Sequence, residues 1–149
     1  MIEAGSNQVI KNKLRSVGLR PTRQRVVLAG LLFETGDRHV TAEGLHEEAE
    51  QIPFRISLAT VYNTLNQFTE AGLLREVAVE GSKAYFDTNT SDHHHFFCEF
   101  DNKLMDIPDD TLRVVGIPTA PAGMSVTRVD VIVRLTDTPQ EACAVISKK

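Results

Sequence analysis

The sequence has little cysteine and no long apolar run. Cys98 and Cys143 are the only cysteines among its 149 residues. Two thiols do not make a disulfide framework, so a reducing compartment is expected. No apolar stretch approaches the roughly 20 residues of a membrane-spanning helix. The start, MIEAGSNQVI, also lacks the basic segment and apolar core of a secretory signal. We therefore expect a cytoplasmic protein with no membrane partner.

Catalytic motifs and zinc-binding cysteine motifs are also missing. There is no HExxH and no dedicated nucleophile, so a small metal-dependent hydrolase is disfavoured and we expect no enzyme. No CxxC pair occurs, and Asp101 stands where Cys98 would need its partner. A closed structural zinc site needs four good ligands, usually from such pairs. We expect no structural zinc held by four cysteines and interpret Cys98 as a small buried apolar residue.

Charge is unevenly distributed along the chain. The formal net charge is −4, but residues 1–36 carry six basic and two acidic residues, a local net of +4, whereas the remainder carries −8. Such segregation is typical of a basic nucleic-acid contact face on an acidic body. A surface that is lopsided by chance remains the alternative, and charge alone does not decide between them.

Apolar spacing predicts four helices in the first half. The first covers residues 7–17 and ends at Gly18, and the others follow the capping residues Thr22, Thr41 and Ser57. The second and fourth helices have predicted apolar stripes, at Val26, Val27 and Leu31, and at Leu58, Val61, Leu65 and Phe68 respectively.

The opposite face of the fourth helix is polar and nearly uncharged. It carries Thr60, Asn63, Thr64 and Gln67, with Tyr62 beside them. A helix that enters the major groove needs hydrogen-bonding groups without carboxylates facing the phosphates. A polar surface helix is the alternative, but the pattern favours DNA recognition.

Strand-like runs follow the helices. LLREVAVE and KAYFDT, joined by a short turn, predict the hairpin of a winged helix-turn-helix. Later runs predict further strands and a short helix at DDTLRVV. We expect an α+β chain with a winged-helix DNA-binding domain at 1–88, a hinge at about 87–92, and a small α/β dimerisation and sensing domain at 93–149. The second domain is too small to bury a core comfortably alone, so a homodimer is expected.

Three adjacent histidines indicate a ligand site. In a strand, His93 and His95 point to one face and His94 to the other. Imidazole suits transition metals, and the nearby carboxylates of Asp87, Asp92 and Asp106 shift the preference toward iron and manganese. Structural or merely exposed histidines are the alternative.

Together, SLATVYNTLNQFTEAGLLRE, the wing ending KAYFDT and the histidine run before KLMDIPDD resemble the ferric uptake regulator family, from about LRSVGLRPTRQR through VTRVDVIVRL. The resemblance implies a dimeric winged-helix repressor with metal sites near its hinge. By position it implies one sensory site, similar to that of the peroxide-responsive branch, whose ligands are His39, Asp87, His93, His95 and Asp106. The chain departs from the family in lacking the cysteine pairs, and in Asn63 where an arginine often follows ATVY.

The HHH run, the missing cysteine pairs and the ending RVVGIP…RVDVIVRL resemble one subfamily, the iron response regulators of alphaproteobacteria. That likeness implies haem sensing and DNA binding under iron limitation. Haem would bind at His93, His94 and His95, with His94 as an axial ligand, and a haem-delivering enzyme would be a further partner. Two alternatives stay open: a repressor that answers directly to Fe(II), Mn(II) or Zn(II), and a DNA-binding module with a ligand-free sensor half.

Duplex DNA is the expected macromolecular partner. Arg15, Arg20 and Arg25 are predicted to neutralise phosphates, with Arg15 reaching an A·T-rich minor groove. The predicted contacts to bases or flanking phosphates are Ser57, Thr60, Tyr62 and Asn63. A dimer would read a near-palindromic operator, because protein symmetry imposes symmetry on the site.

Overall fold

The structure of the protein is a computed structural model, and it describes residues 4–79 and 81–137. The chain divides into two compact units, Met1–Ser91 and Asp92–Lys149. The α+β class expected from the sequence is confirmed, since the first unit combines helices with a sheet and the second is built on a separate sheet. None of the helices in the described part of the chain has the length and apolarity that crossing a membrane requires.

The first unit has a winged helix-turn-helix arrangement. In chain order its elements are α1 (Ala4–Ser16), α2 (Arg23–Phe33), β1 (His39–Val40), α3 (Ala42–Ala49), α4 (Leu58–Glu70), β2 (Arg75–Val77) and β3 (Tyr85–Asp87). The strands form one antiparallel sheet in the order β1-β3-β2. The predicted wing strands are therefore present but shorter than the runs LLREVAVE and KAYFDT.

Three helices of this unit begin at the capping residues predicted from the sequence. The side-chain oxygens of Thr22, Thr41 and Ser57 accept hydrogen bonds from the backbone N–H three residues later. Each bond satisfies one of the N–H groups that the first turn of a helix leaves without a partner. After α4 the chain turns at Gly72, whose φ of +85° suits glycine. Local sequence thus determines where these helices begin and where α4 ends.

The core of the first unit is formed by side chains from all four helices. Its largest fully buried members are Leu14, Leu28, Leu32, Leu45, Val61, Leu65, Phe68 and Phe86. The stripe predicted for α2 is wrong in part, because Val27 and Leu31 are only partly buried whereas Leu28 and Leu32 are fully buried. Helix α2 packs against α1, α3 and α4, so a single narrow stripe does not describe its contacts.

The face assignments for α4 need two corrections. Thr64, predicted on the polar face, is 4% exposed and lies in the interior, and Leu58, predicted in the apolar stripe, is exposed at the start of the helix. Val61, Leu65 and Phe68 are fully buried as predicted. The buried stripe is therefore shifted toward Thr64 and away from Leu58, while its three central members stay in place.

The second unit contains a three-stranded sheet. Its strands are β4 (His95–Cys98), β5 (Lys103–Asp106) and β6 (Ile132–Leu135). Strand β4 is central, antiparallel to β5 and parallel to β6. The helix predicted at DDTLRVV is wrong, because residues 112–121 have no helical or strand conformation. Pro108 precedes this stretch and Gly116 and Pro118 interrupt it, while the adjacent β-branched Val114 and Val115 disfavour a helix. Cys143 lies outside the described residues.

Candidate metal centre and nucleic-acid interface

Two histidines and one aspartate of the second unit come together at the start of its central strand. The antiparallel register of β4 and β5 places His95 opposite Asp106. Asp106 Oδ1 lies 3.2 Å from His93 Nε2 and 3.4 Å from His95 Nε2. His93 and His95 are 6% and 2% exposed, and their ring centroids are 4.4 Å apart. Two buried imidazole nitrogens thus share one carboxylate oxygen.

The common direction of His93 and His95 agrees with the prediction, although the strand begins only at His95. His93 lies just outside the strand, and its ring still approaches the same oxygen of Asp106 as the ring of His95. Buried polar groups need partners, and a cluster of imidazole and carboxylate donors can be satisfied by protons or by a divalent cation.

His94 has a different role within the second unit. Its Nδ1 accepts a hydrogen bond from the N–H of Val131 at 3.1 Å, and its carbonyl oxygen accepts one from the N–H of Ile107 at 2.9 Å. A neutral imidazole that accepts at Nδ1 carries its proton on Nε2. Ligation of an iron atom through Nε2 would require the proton to move to Nδ1 and the hydrogen bond from Val131 to break, so this arrangement does not favour the axial haem ligand expected from the sequence.

The other two predicted ligands form a pair within the first unit. His39 of β1 is the Cα partner of Asp87 of β3, and its Nε2 lies 3.1 Å from Asp87 Oδ2. Asp87 is 1% exposed. The two-residue strand β1 was not predicted, because it is too short to give a sequence signal. It brings His39 beside Asp87 across 48 positions of sequence.

The donor set suits a divalent transition metal. The second unit offers two imidazole nitrogens and one carboxylate, and the first unit offers one imidazole and one carboxylate, which are donors of the kinds that Fe(II), Mn(II) and Zn(II) accept. Four of the five side chains are largely buried, and a buried carboxylate requires a compensating positive charge. Cys98 is a free, buried cysteine in β4, which confirms its interpretation as an interior residue.

The predicted phosphate contacts have different surroundings. Arg15 and Arg20 are exposed. Arg25, in contrast, donates through Nη2 and Nε to Gln67 Oε1, at 3.1 and 3.3 Å, and through Nη1 to the carbonyl of Arg20 at 2.8 Å. Arg25 therefore links α2 to α4 within the protein. Sequence reasoning missed this link, since nothing local connects residues 42 positions apart.

The start of α4 presents most of the predicted base contacts. Ser57, Tyr62 and Asn63 are exposed and Thr60 is partly exposed. The Ser57 hydroxyl caps the helix and donates to Thr60 Oγ1 at 3.0 Å. Exposed polar groups at the N-terminal end of the second helix of a helix-turn-helix are in the position from which such helices contact bases.

Glu43 is a further residue of this surface that the sequence did not reveal. Its Oε2 accepts a hydrogen bond from the Tyr62 hydroxyl at 2.7 Å and lies 3.6 Å from Lys83 Nζ of the wing hairpin. The bond from Tyr62 lowers the pKa of the Glu43 carboxyl, and the same bond raises the pKa of Tyr62. One carboxylate thus connects α3, α4 and the hairpin.

Comparison with known proteins assigns the family. The model of the ferric uptake regulator family matches residues 16–133. The chain belongs to this family. The ferric uptake regulation protein of Shigella flexneri is 36% identical to it over 101 residues, which cover 67% of this chain and 68% of that protein. The ferric uptake regulation protein of Escherichia coli strain K12 is 35% identical with the same coverage.

Solved structures of ferric uptake regulators share the fold of this family member. The protein from Pseudomonas aeruginosa, solved with manganese, has a TM-score of 0.66 and 23% identity, covering 88% of this chain and 99% of that one. The Vibrio cholerae regulator has a TM-score of 0.67 and 24% identity, covering 85% and 98%. Members of the ferric uptake regulator family are metal-responsive transcription regulators of iron homeostasis.

Proposed function

We propose that this chain regulates iron-homeostasis genes by binding operator DNA as a homodimer, in response to a divalent cation. The cation would be held by His39, Asp87, His93, His95 and Asp106. The observation that carries the proposal is the shared carboxylate oxygen of Asp106, approached by two buried imidazole nitrogens within 3.4 Å. Family regulators bind DNA and act as dimers, which supports the rest.

The residues of this chain suggest how sensing and DNA binding are linked. When bound, the cation would supply positive charge that offsets the two buried or half-buried carboxylates. Asp87 is the last residue of the wing strand β3, and α4 precedes the wing. A cation that binds more tightly to one arrangement of the segment around Asp87 raises the population of that arrangement. The size of the shift is set by the difference between its affinities for the two arrangements.

Metal binding is tested by equilibrium dialysis of the full chain with Mn(II), Fe(II) and Zn(II). We expect His93→Gln and Asp106→Asn to lower affinity by at least about 100-fold, since each removes a direct ligand, whereas changes to residues that only orient a ligand cost about 10–100-fold. His46→Gln is the matched control, because His46 is a histidine that lies beside Glu50 at the C-cap of its helix and is not among the proposed ligands. Equal binding by all variants would contradict the proposed site.

Direct response to a metal ion has better support than haem sensing. The Nδ1 of His94 is engaged with Val131, and His93 and His95 are buried against Asp106. These donors do not fit the haem site predicted from the sequence, so no step is assigned to haem. Haem response stays a prediction, and a haem-delivering partner stays one with it. A Soret shift on mixing with haem that His94→Ala abolishes and His46→Gln retains would reinstate it.

DNA binding is tested by fluorescence anisotropy with an A·T-rich palindromic duplex, with and without Mn(II). Asn63→Ala should weaken binding more than Asn66→Ala, an exposed asparagine one turn further from the start of α4. Arg15→Gln and Arg20→Gln should reduce the salt dependence of the affinity, because each removes one phosphate contact. A chain that stays monomeric in sedimentation and does not bind duplex DNA would overturn the proposal.

A further inference from the structure

The chain that leaves β3 is shaped by side-chain hydrogen bonds at every second residue. Asp87 Oδ1 accepts from the N–H of Asn89 at 2.9 Å. Asn89 Oδ1 then accepts from both the N–H and the hydroxyl of Ser91, at 3.1 and 2.6 Å. An Asp or Asn side chain that bonds the backbone two residues later forms a local turn. Two such turns follow one another, so residues 87–91 have a defined path.

Arg75 holds the far end of this path. Its Nη1 donates to the carbonyl oxygen of Ser91 at 2.9 Å. Arg75 is also the Cα partner of Asp87 in the β2–β3 pair, and both residues are buried. A guanidinium is charged at any accessible pH, so its presence reduces the cost of burying a carboxylate nearby. The segment therefore begins at Asp87 and is held at its end by the side chain of Arg75, the residue paired with Asp87 in the sheet.

Thr88 secures the first step of the turn against the strand that carries His39. The N–H of Thr88 donates to the carbonyl of Arg38 at 3.0 Å, and the N–H of Arg38 donates to Thr88 Oγ1 at 2.8 Å. Arg38 directly precedes His39. The backbone next to the His39–Asp87 pair is thus fixed by hydrogen bonds between the two chain segments that carry it.

The two carboxylate oxygens of Asp87 have separate tasks. Oδ1 accepts from the turn, and Oδ2 faces His39 Nε2 at 3.1 Å. Partial rotation of the carboxylate would break the bond from the N–H of Asn89, so the turn fixes the orientation in which a carboxylate oxygen faces His39. We propose that Asn89 and Arg75 are positioning residues that orient Asp87 Oδ2 toward the metal. This inference rests on the proposed metal site.

The test measures, by isothermal titration calorimetry, the Mn(II) affinity of the full wild-type chain and of three variants. Asn89→Ala removes the acceptor for Ser91 and should weaken binding about 10-fold or more, the size typical of residues that orient a ligand. Asn89→Asp keeps a side-chain oxygen at that position and should restore affinity to within about threefold of the wild type. Thr90→Ala, at an exposed position of the same turn, is the matched control and should bind as the wild type.

Amide hydrogen exchange by NMR in the metal-free protein provides a readout that does not depend on Mn(II). The N–H groups of Asn89 and Ser91 should be protected in the wild type and in Asn89→Asp, and should exchange faster in Asn89→Ala. Arg75→Lys retains a buried positive charge, but its side chain is shorter and does not reach the carbonyl of Ser91. It should therefore lower Mn(II) affinity, as Asn89→Ala does. Circular dichroism should show that the fold is intact.

Three results would overturn the inference, and they differ from one another. If the wild type binds Mn(II) and Asn89→Ala binds it equally tightly, the positioning role is overturned and the proposed function still stands. Equal impairment of Asn89→Ala and Asn89→Asp would exclude the acceptor role of Asn89. Absence of Mn(II) binding by the wild type would overturn the proposed function and this inference together.

Discussion

The two units of the chain bury very different kinds of side chain. In the first unit four helices enclose a large apolar core, which includes Phe68 and Phe86. In the described part of the second unit, the buried residues are His93, His95, Phe97, Cys98, Leu104 and Ile107. The first unit therefore buries the apolar area that folding requires. The interior of the second unit is small, and one-third of the buried residues named here are histidines.

The surface of the second unit shows the same contrast. Val115, Ile117 and Met124 are more than half exposed, in a stretch that has no helix or strand. A unit with so small an interior is expected to bury apolar surface against another copy of the chain. We expect the second unit to need a bound cation and a second copy of the chain in order to fold stably, whereas the first unit should fold without either, although a cation held by His39 and Asp87 would stabilise it further.

The largest effect is expected from truncating an aromatic side chain in each core. Phe68→Ala should lower the free energy of unfolding of the first unit by about 3–5 kcal/mol, because it removes buried apolar area and leaves a cavity. Phe97→Ala should act on the second unit alone. Urea denaturation, followed by circular dichroism for the helices and by NMR for β4, distinguishes the two. A single transition lowered equally by both variants would mean that the units unfold together.

Sequence reasoning succeeded in the first unit where local chemistry decides the outcome. The caps at Thr22, Thr41 and Ser57 follow from short-range hydrogen bonds, and the fold class followed from the order of helices and hairpin. It failed where packing decides, as for Thr64, which is polar and was assigned to the solvent face of the periodic pattern but is buried in the structure. A period of 3.6 residues describes one apolar face, not how wide it becomes when several helices pack around it.

The candidate site could be predicted in part, where the spacing of nearby residues determines the geometry. His93 and His95 were recognisable from their spacing and Asp87 and Asp106 as nearby carboxylates, whereas His39 followed only from the resemblance to a family. Asn89 could have been found, because Asp87, Asn89 and Ser91 have the i, i+2, i+4 spacing of successive turns. The bonds that Glu43 and Gln67 form with Tyr62 and Arg25 could not be found, since they depend on tertiary packing.

The second-largest effect is expected from adding a metal ion. Mn(II) at 100 times its dissociation constant should stabilise the folded protein by about 2.7 kcal/mol, the value for one site that the unfolded chain lacks. If all five proposed ligands share the cation, the unfolding transitions of both units should move. EDTA should reverse the shift.

The variants refine this result. Asp106→Asn should abolish the Mn(II) shift of the second unit, and His46→Gln should leave it unchanged. A shift confined to the first unit would assign the cation to His39 and Asp87, and would contradict the shared site.

A smaller effect is expected from the cap of α4. Ser57→Ala removes the acceptor for the N–H of Thr60 and should cost about 1 kcal/mol of stability in the first unit only. Ser57→Asp, which keeps a capping oxygen, should retain most of the stability. Its added charge should nevertheless weaken DNA binding, because Ser57 lies on the predicted DNA face. Loss of stability in both variants would mean that Ser57 acts through packing.

The smallest effect is expected from Glu43, and its sign follows from its pKa. The hydrogen bond from Tyr62 lowers the pKa of the folded-state carboxyl below that of the unfolded chain. Its contribution to stability is therefore complete above the unfolded pKa and is lost as the pH falls through the folded pKa. The stability difference between wild type and Glu43→Gln should shrink on going from pH 7 to pH 3. Tyr62→Phe removes the donor and should abolish most of this pH dependence, whereas an unchanged difference across the range would show that the carboxylate and Tyr62 are not coupled.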